Sequence, residues 1–316
     1  MRQWLAVGLV VVGLALAACG SGGGDSPAVV VQVKTPSVGG PTPTATIDAS
    51  IQIEPPELVT SDAAVFQGGA VLVSVVGDIT GGEVSLFGGS HRLIQGDLSM
   101  FTFIGVPAEQ TAGDYTAEVA FRLLNGTTGS LSTTFTVLAT DWTVDALTFD
   151  EGKQRFLDTQ VTADEEAQLR EAFSTDTDTK LWDWPWLLPY DGPVTARFGE
   201  QRSIDGSEPE GHHGGTDIGG PEGAPVAAAN HGTVVLARQM ALRGNYVVID
   251  HGGGVLSGYG HLSQFAVAEG QTVERGQTIG HIGNTGLSTG AHLHWEIAIH
   301  GVLVDALRFV DGSNGF

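Results

Sequence analysis

The stretch Gly290-Ala291-His292-Leu293-His294-Trp295-Glu296 is the most informative part of the chain. Successive side chains of an extended strand point to opposite faces. One face then carries the apolar residues of this stretch and of its continuation: Leu293, Trp295, Ile297 and Ile299. The other face carries polar residues: His292, His294 and Glu296. We therefore expect one face to pack on a core, while the other presents two imidazoles that can share one metal ion or one substrate.

Length and composition indicate a β-rich protein of about two domains. The chain has 316 residues, with 46 glycines and only 16% charged residues. Together with short runs of β-branched residues, this composition is typical of short strands joined by tight turns. The formal net charge of −22 disfavours a nucleic-acid partner, because phosphate groups would be repelled. We therefore expect no nucleic acid among the partners.

The N-terminus is typical of an exported, lipid-anchored protein. Met1-Arg2-Gln3 precedes an apolar run over residues 4–16, which fits the core of a secretory signal better than a membrane-spanning helix. Leu16-Ala17-Ala18-Cys19 closes that run and resembles the bacterial lipoprotein box, in which the cysteine is lipidated. The alternative is an ordinary cleaved signal with an incidental cysteine. Because Cys19 is the chain's only cysteine, we favour a signal peptide over residues 1–19 and an extracytoplasmic protein anchored to the cell membrane or outer membrane.

Four further segments differ in composition. Residues 20–49 are rich in Gly, Ser, Pro and Thr and predict a flexible linker. Residues 50–140 show short alternating strands between glycine-rich turns, which predicts an immunoglobulin-like β-sandwich acting as a spacer or binding module. Residues 141–188 predict a connector with a short helix, capped at Thr162 and acidic in its first turn. Residues 189–316 predict a second β domain, with its last strand over 292–299.

Some residues in and around these segments allow a structural interpretation. The aromatic run Trp182-Asp183-Trp184-Pro185-Trp186 is expected to pack against the next domain, with sugar stacking as the alternative. His91 is expected in a surface loop. The histidines of apparent turns and glycine-flanked positions are expected to be structural or exposed: His212, His231, His251, His281 and His300.

Two upstream segments supply partners for the histidines of residues 290–296. In Gly211-His212-His213-Gly214-Gly215-Thr216-Asp217, two glycines between His213 and Asp217 leave the backbone free to bring both side chains together. Tyr259-Gly260-His261-Leu262 ends a predicted strand with a further imidazole. Each segment alone is a weak signal, and only their combination is specific.

Together these segments resemble the lysostaphin-type (LytM-like) zinc metallopeptidases, which cut peptide bonds in bacterial peptidoglycan. The family pattern His-x-Gly-x-Asp is matched by residues 213–217, Tyr-x-His-Leu by 259–262 and Gly-x-His-Leu-His by 290–294. The resemblance extends from about residue 189 to the C-terminus. No catalytic position of the family is missing, which matters because some relatives have lost theirs and act only as binding partners.

The resemblance implies an all-β fold, an antiparallel barrel-sandwich (duplicated hybrid motif) after the sandwich and its helical connector. It implies one Zn²⁺ held by His213, Asp217 and His294, which leaves a fourth position open. His261 and His292 would then transfer protons to and from the reacting groups, with the division of roles between them open. Glu296 either orients a histidine or is solvated.

The implied function is that of a zinc endopeptidase acting on peptidoglycan peptides, with the cleaved bond left open between glycyl-glycine and D-alanine linkages. A non-catalytic peptidoglycan-binding or amidase-activating protein on the same fold is the alternative. A sugar-transport phosphocarrier has a related fold, but the export signal and the pair His213 and Asp217 disfavour it.

Overall fold

The computed structural model describes residues 55–149 and 151–312. The predicted signal peptide with Cys19 and the predicted linker over 20–49 lie outside the described residues. Among the residues that are described, no helix is long and apolar enough to cross a membrane.

The first part of the described chain forms two sheets on one shared core. The four-stranded sheet has the order β1-β3-β7-β6 and the five-stranded sheet the order β2-β9-β8-β4-β5. Alternate residues of both sheets, such as Val73, Val119 and Phe135, are buried in the core between them. The mostly-β prediction is confirmed here, and the immunoglobulin-like assignment stays a prediction. The strands are β1 Glu57–Thr60, β2 Ala64–Phe66, β3 Ala70–Val76, β4 Ile79–Leu86, β5 Gly89–Arg92, β6 Ile94–Gln95, β7 Met100–Gly105, β8 Gly113–Leu123 and β9 Thr128–Leu138.

The following segment contains one strand and the longest helix that the structure describes. Its elements are β10 Val144–Leu147, α1 Glu151–Gln154, a 3-10 turn Arg155–Leu157 and α2 Thr159–Phe173. The predicted cap at Thr162 is wrong. Asp158 caps α2 instead, because its carboxylate accepts the backbone N–H groups of Gln160 and Val161. Glu165 therefore lies beyond the first turn, and its side chain is buried.

The last part of the chain is built around an eight-stranded antiparallel sheet. Its order is β11-β14-β22-β18-β17-β16-β20, with β23 paired to β22. Smaller sheets have the orders β15-β21-β19 and β10-β12-β13. The elements are β11 Val194–Ala196, β12 Gln201–Ile204, β13 Glu210–His212, β14 Thr216–Gly219, β15 Pro225–Ala227, β16 Gly232–Gln239, β17 Asn245–Asp250, β18 Val255–Leu262, β19 Gln264–Phe265, β20 Thr272–Val273, β21 Thr278–His281, β22 His292–Ile299, β23 Val302–Val304 and α3 Leu307–Asp311.

Strand β22 runs through the middle of this sheet and has the predicted bounds. Its apolar face lies in the main core, where Leu293, Trp295 and Ile297 are fully buried. Its polar face is also covered, because α2 packs over this side of the sheet through Leu169 and Phe173. The apolar face packs on a core as predicted, and the histidine face is in addition shielded from water along part of its length.

The aromatic run has the predicted packing role. Trp182 and Trp186 are buried in the main core. The ring of Trp182 lies 5.6 Å from that of Phe103 on β7, and the ring of Trp186 lies 5.2 Å from that of Phe309 on α3. These rings join the first pair of sheets to the later sheet through one apolar cluster.

Candidate metal centre

Strand pairing brings His213, Asp217 and His294 together. Asp217 on β14 is the register partner of His294 on β22, and His213 lies just before β14. The distance from His294 Nδ1 to Asp217 Oδ1 is 2.7 Å, and His213 Nε2 lies 3.1 Å from His294 Nδ1 and 3.2 Å from Asp217 Oδ1. Among the described residues, these form the group of His, Cys, Asp and Glu side chains able to hold a metal ion.

The glycines between His213 and Asp217 allow this segment to pack closely against the neighbouring strands. Neither Gly214 nor Gly215 has a positive φ. A Cβ at Gly215 would lie 2.5 Å from the carbonyl oxygen of Trp295, and one at Gly214 would lie 2.8 Å from Leu303 Cδ1. The segment therefore needs glycine so that it can lie against β22, and not for the backbone freedom predicted from the sequence.

Hydrogen-bond partners determine which ring nitrogens of the cluster are free to bind a cation. His213 Nδ1 lies 2.9 Å from the carbonyl oxygen of Arg197, and His294 Nε2 lies 3.0 Å from Glu296 Oε1. Both partners are acceptors, so these nitrogens are the protonated ones of each ring. In the neutral rings, His213 Nε2 and His294 Nδ1 are then lone-pair donors that face each other and Asp217 Oδ1. The convergence of two imidazole nitrogens and one carboxylate oxygen fits a metal ion.

The charges around the cluster agree with a cation at this place. Burial acts to raise the pKa of Asp217, but hydrogen bonds with His213 and His294 outweigh it and hold that pKa well below its usual range. Burial acts to lower the pKa of His294, but the carboxylates of Glu296 and Asp217 outweigh it and raise that pKa. The lowered pKa of Asp217 and the raised pKa of His294 both favour positive charge between these side chains, which a bound cation would supply.

A buried ion-pair network stands behind His294. Glu296 is fully buried, so the solvated alternative for this residue is wrong. Arg243 Nη2 lies 2.6 Å from Glu296 Oε1, and the Tyr246 hydroxyl donates to Glu296 Oε2. Burial acts to raise the pKa of Glu296, but Arg243 and then His294 outweigh it and lower that pKa below its usual range. The ionised carboxylate fixes the orientation of the His294 ring.

His261 and His292 lie beside the cluster with the same ring nitrogen engaged. His261 Nδ1 lies 2.8 Å from the carbonyl oxygen of Thr285, and His292 Nδ1 lies 2.9 Å from that of Gly290. Their ring centroids are 4.7 Å apart, and His292 Nε2 lies 3.6 Å from Asp217 Oδ2. Burial lowers the pKa of both imidazoles. Each neutral ring therefore keeps Nε2 as a proton acceptor.

The backbone of His261 is strained. Its φ is +58°, in the left-handed region, which costs a non-glycine residue on the order of 1–3 kcal/mol. The His261 N–H donates to the carbonyl of Arg243 at 2.7 Å and helps to hold this conformation. Such strain is common where surrounding structure fixes a functional side chain.

The remaining histidines lie outside the cluster: His91, His212, His231, His251, His281 and His300. His251 is fully buried, donates from Nδ1 to the carbonyl of His231 at 2.6 Å, and has a pKa that burial lowers to about 4. The prediction of a surface loop for His91 is wrong. It lies half-buried on β5, with its ring 4.7 Å from that of His300.

Three charged residues near the cluster were not predicted from the sequence to belong to the site. Arg202 on β12 has Nη2 3.9 Å from Asp217 Oδ2. Arg243 lies in the turn between β16 and β17, and Glu165 on α2 contacts it. A basic residue beside the glycine that ends a hairpin turn was the available signal for Arg243. Arg202 lies in a segment without a recognised motif, and Glu165 was assigned to the acidic first turn of the predicted helix, so neither was linked to the cluster.

An antiparallel β scaffold that holds a His-Asp-His cluster beside two further imidazoles fits a metal centre with proton acceptors next to it. Known proteins with similar sequences support a metallopeptidase domain. Residues 211–306 match the model of peptidase family M23, and this part of the chain is an M23 peptidase domain. The peptidases of this family are metallopeptidases.

Individual relatives match over limited lengths. The chain is 42% identical over 115 residues to the peptidoglycan DD-endopeptidase ShyA of Vibrio cholerae, covering 36% of this chain and 27% of ShyA. It is 38% identical over 141 residues to the murein hydrolase activator NlpD of Salmonella dublin, covering 44% of this chain and 34% of NlpD. The chain thus spans about a quarter to a third of the length of these relatives.

A solved structure resembles a larger part of the chain. A crystal structure from Pseudomonas aeruginosa, described as an M23 peptidase, covers 78% of this chain and 94% of its own, with a TM-score of 0.59 and 24% identity. At this identity the likeness concerns the fold. It extends well beyond the matched M23 segment, so it includes strands outside the peptidase domain.

Proposed function

We propose that the chain is a zinc-dependent endopeptidase that hydrolyses peptide bonds in bacterial peptidoglycan. The observation that carries the proposal is the convergence of His213 Nε2, Asp217 Oδ1 and His294 Nδ1 beside two imidazoles whose Nδ1 atoms are held by backbone carbonyls. The names of relatives such as the DD-endopeptidase ShyA support peptidoglycan as the substrate.

His213, Asp217 and His294 are the proposed zinc ligands. Two imidazoles and one carboxylate form a donor set found in catalytic zinc sites, where three protein ligands leave one position open. Bound zinc supplies Lewis acidity, which polarises a carbonyl and lowers the pKa of water to about 7. The carbonyl of Arg197 and the carboxylate of Glu296 hold the two imidazoles so that their lone pairs point at one place.

His261 and His292 are the proposed proton-transfer residues. Because burial keeps both rings neutral and their Nδ1 atoms donate to carbonyls, Nε2 of each can accept a proton. One ring accepts the proton of the attacking water at Nε2. The other can stabilise the developing oxyanion or protonate the leaving amine only with a proton on its own Nε2, which it would take from solvent or from the first ring. The division of roles between them stays open.

A non-catalytic, amidase-activating role is the second candidate. The similarity to the activator NlpD favours it. The complete set of His213, Asp217, His294, His261 and His292 favours the enzyme, because an activator has no need of a metal centre with proton acceptors beside it.

A digest of purified peptidoglycan distinguishes the two candidates. We expect the zinc-loaded chain to convert cross-linked muropeptides into monomers, with new amino termini identified by mass spectrometry, and His294→Ala to lose this activity. His281→Ala replaces a histidine outside the cluster and should cleave like the wild type. If the wild-type chain leaves muropeptides intact but stimulates an added amidase, the activator role is correct and the proposed enzyme is not.

The proposed location is extracytoplasmic, with the chain attached to a membrane through a lipid on Cys19. The proposed domain limits are a signal peptide over 1–19, a linker over 20–49, a sandwich over 50–140, a connector over 141–188 and a peptidase domain over 189–316. A linker behind a lipid anchor gives the peptidase reach into the cell wall.

The lipid anchor has its own test. The wild-type chain expressed in a bacterial host should partition into the detergent phase, because an acyl chain adds apolar surface. Cys19→Ser should move the protein to the aqueous phase or leave the signal uncleaved. Equal partitioning of both proteins, with equal processing, would contradict lipidation.

A further inference from the structure

Glu165 is a buried acid on α2, outside the segment that matches the M23 family. It is 3% exposed, although it lies on the surface helix that covers the sheet. Its carboxylate accepts the backbone N–H of Leu242 at 2.5 Å and that of Arg243 at 3.1 Å, and it lies 3.3 Å from Arg243 Nη1. A buried carboxylate with three donors from one turn fixes the position of that turn.

Arg243, which Glu165 holds, contacts two parts of the proposed centre. Its guanidinium binds Glu296, and Glu296 accepts from His294 Nε2 at 3.0 Å. Its carbonyl accepts the backbone N–H of His261, whose φ is +58°. One residue therefore holds the orientation of a proposed zinc ligand and the strained backbone of a proposed proton-transfer residue.

The same turn also supports the segment that contacts His292. The carbonyl of Leu242 accepts the N–H of Leu287 at 2.8 Å. Residues 287–290 lead directly into β22, and the carbonyl of Gly290 engages His292 Nδ1. Displacement of the turn at 242–243 would therefore change the positions of His294, His261 and His292, each through a different hydrogen bond.

We infer that Glu165 is a positioning residue of the metal centre: it fixes Arg243 and thereby the ring of His294 and the backbone of His261. Helix α2 then contributes to the proposed metal centre, although it lies in the predicted connector. The inference rests on the proposed function where it concerns His261. The effect of Glu165 on metal binding does not depend on which substrate the protein cleaves.

The charge arrangement explains why a neutral residue is a poor replacement. The guanidinium of Arg243 lies between two buried carboxylates, those of Glu165 and Glu296. Glutamine at position 165 keeps the size of the side chain but loses the charge and one acceptor oxygen. Arg243 then loses its ion pair with residue 165, which orients the guanidinium toward Glu296, so Glu296 holds the His294 ring less firmly.

The test uses the full chain and metal binding as its main readout. Zinc affinity is measured by competition with a chromogenic chelator, and the ligand field by the visible absorption spectrum of the Co²⁺-substituted protein. For Glu165→Gln we expect about 10-fold weaker zinc binding, at the low end of the 10–100-fold typical of outer-sphere partners, and an altered Co²⁺ spectrum. Glu166→Gln, on the exposed neighbour of the same helix, should match the wild type in both readouts.

The outcomes separate this inference from the proposed function. A folded Glu165→Gln chain with wild-type zinc affinity and Co²⁺ spectrum would overturn the role of Glu165 alone. A lowered melting temperature with an unchanged spectrum would show a purely structural role and would also overturn it. If the wild-type chain binds neither metal, the proposed function itself fails. Glu165→Asp keeps the charge and should recover part of the lost affinity.

Discussion

Replacing His213, Asp217 or His294 by alanine is expected to remove bound zinc and, with it, peptidoglycan cleavage. Loss of one of three ligands should weaken binding by more than the roughly 10–100-fold typical of losing an outer-sphere partner. Asp217→Asn is a sharper variant, because it keeps the shape of the side chain and removes the negative charge that faces both imidazoles. Zinc content per chain is measured by plasma mass spectrometry after dialysis, beside the rate of muropeptide cleavage.

A matched control for these ligand variants is His281→Ala. His281 lies on β21 outside the cluster, so this variant should keep both zinc and cleavage. Treatment of the wild-type chain with a chelator should abolish cleavage, and added Zn²⁺ should restore it. If His213→Ala, Asp217→Ala and His294→Ala all retain wild-type zinc content, the ligand assignment is wrong.

The second large effect is expected when His261 or His292 is replaced by alanine: the protein should keep its zinc, but its rate of peptidoglycan cleavage should fall. Removing a general acid or base typically costs on the order of 10²–10⁴-fold in rate. Neither residue belongs to the converging His-Asp-His group, and the Nδ1 atom of each is held by a backbone carbonyl. His261→Ala and His292→Ala should therefore remain folded and zinc-loaded while losing most of their cleavage of peptidoglycan.

Comparing zinc content with cleavage rate in these two variants distinguishes catalysis from metal binding. Wild-type rates in both would show that the histidines have no catalytic role. Loss of zinc from both would mean that they are ligands. Unequal losses of rate would show that the two rings contribute differently to turnover.

Local patterns account for the parts of the fold that were predicted correctly. The alternation of residues 292–299 follows from the two-residue period of a strand, and Leu293, Trp295 and Ile297 do face the core. The all-β character likewise follows from short apolar runs between glycine-rich turns. The start of α2 was predicted incorrectly, because both Asp158 and Thr162 are suitable caps and only the structure shows that Asp158 binds the free N–H groups.

The residues of the proposed centre were recognisable as three separate motifs, but the sequence does not contain the distances between them. The register of β14 on β22 places Asp217 beside His294, and this register is a long-range property of the sheet. It follows that the residue types and their strand faces were readable from local spacing alone. The packing of α2 on this side of the sheet, which joins Glu165 to Arg243, arose from contacts between residues far apart in the chain. Such contacts have no local pattern, because they depend on which apolar faces meet when the chain folds.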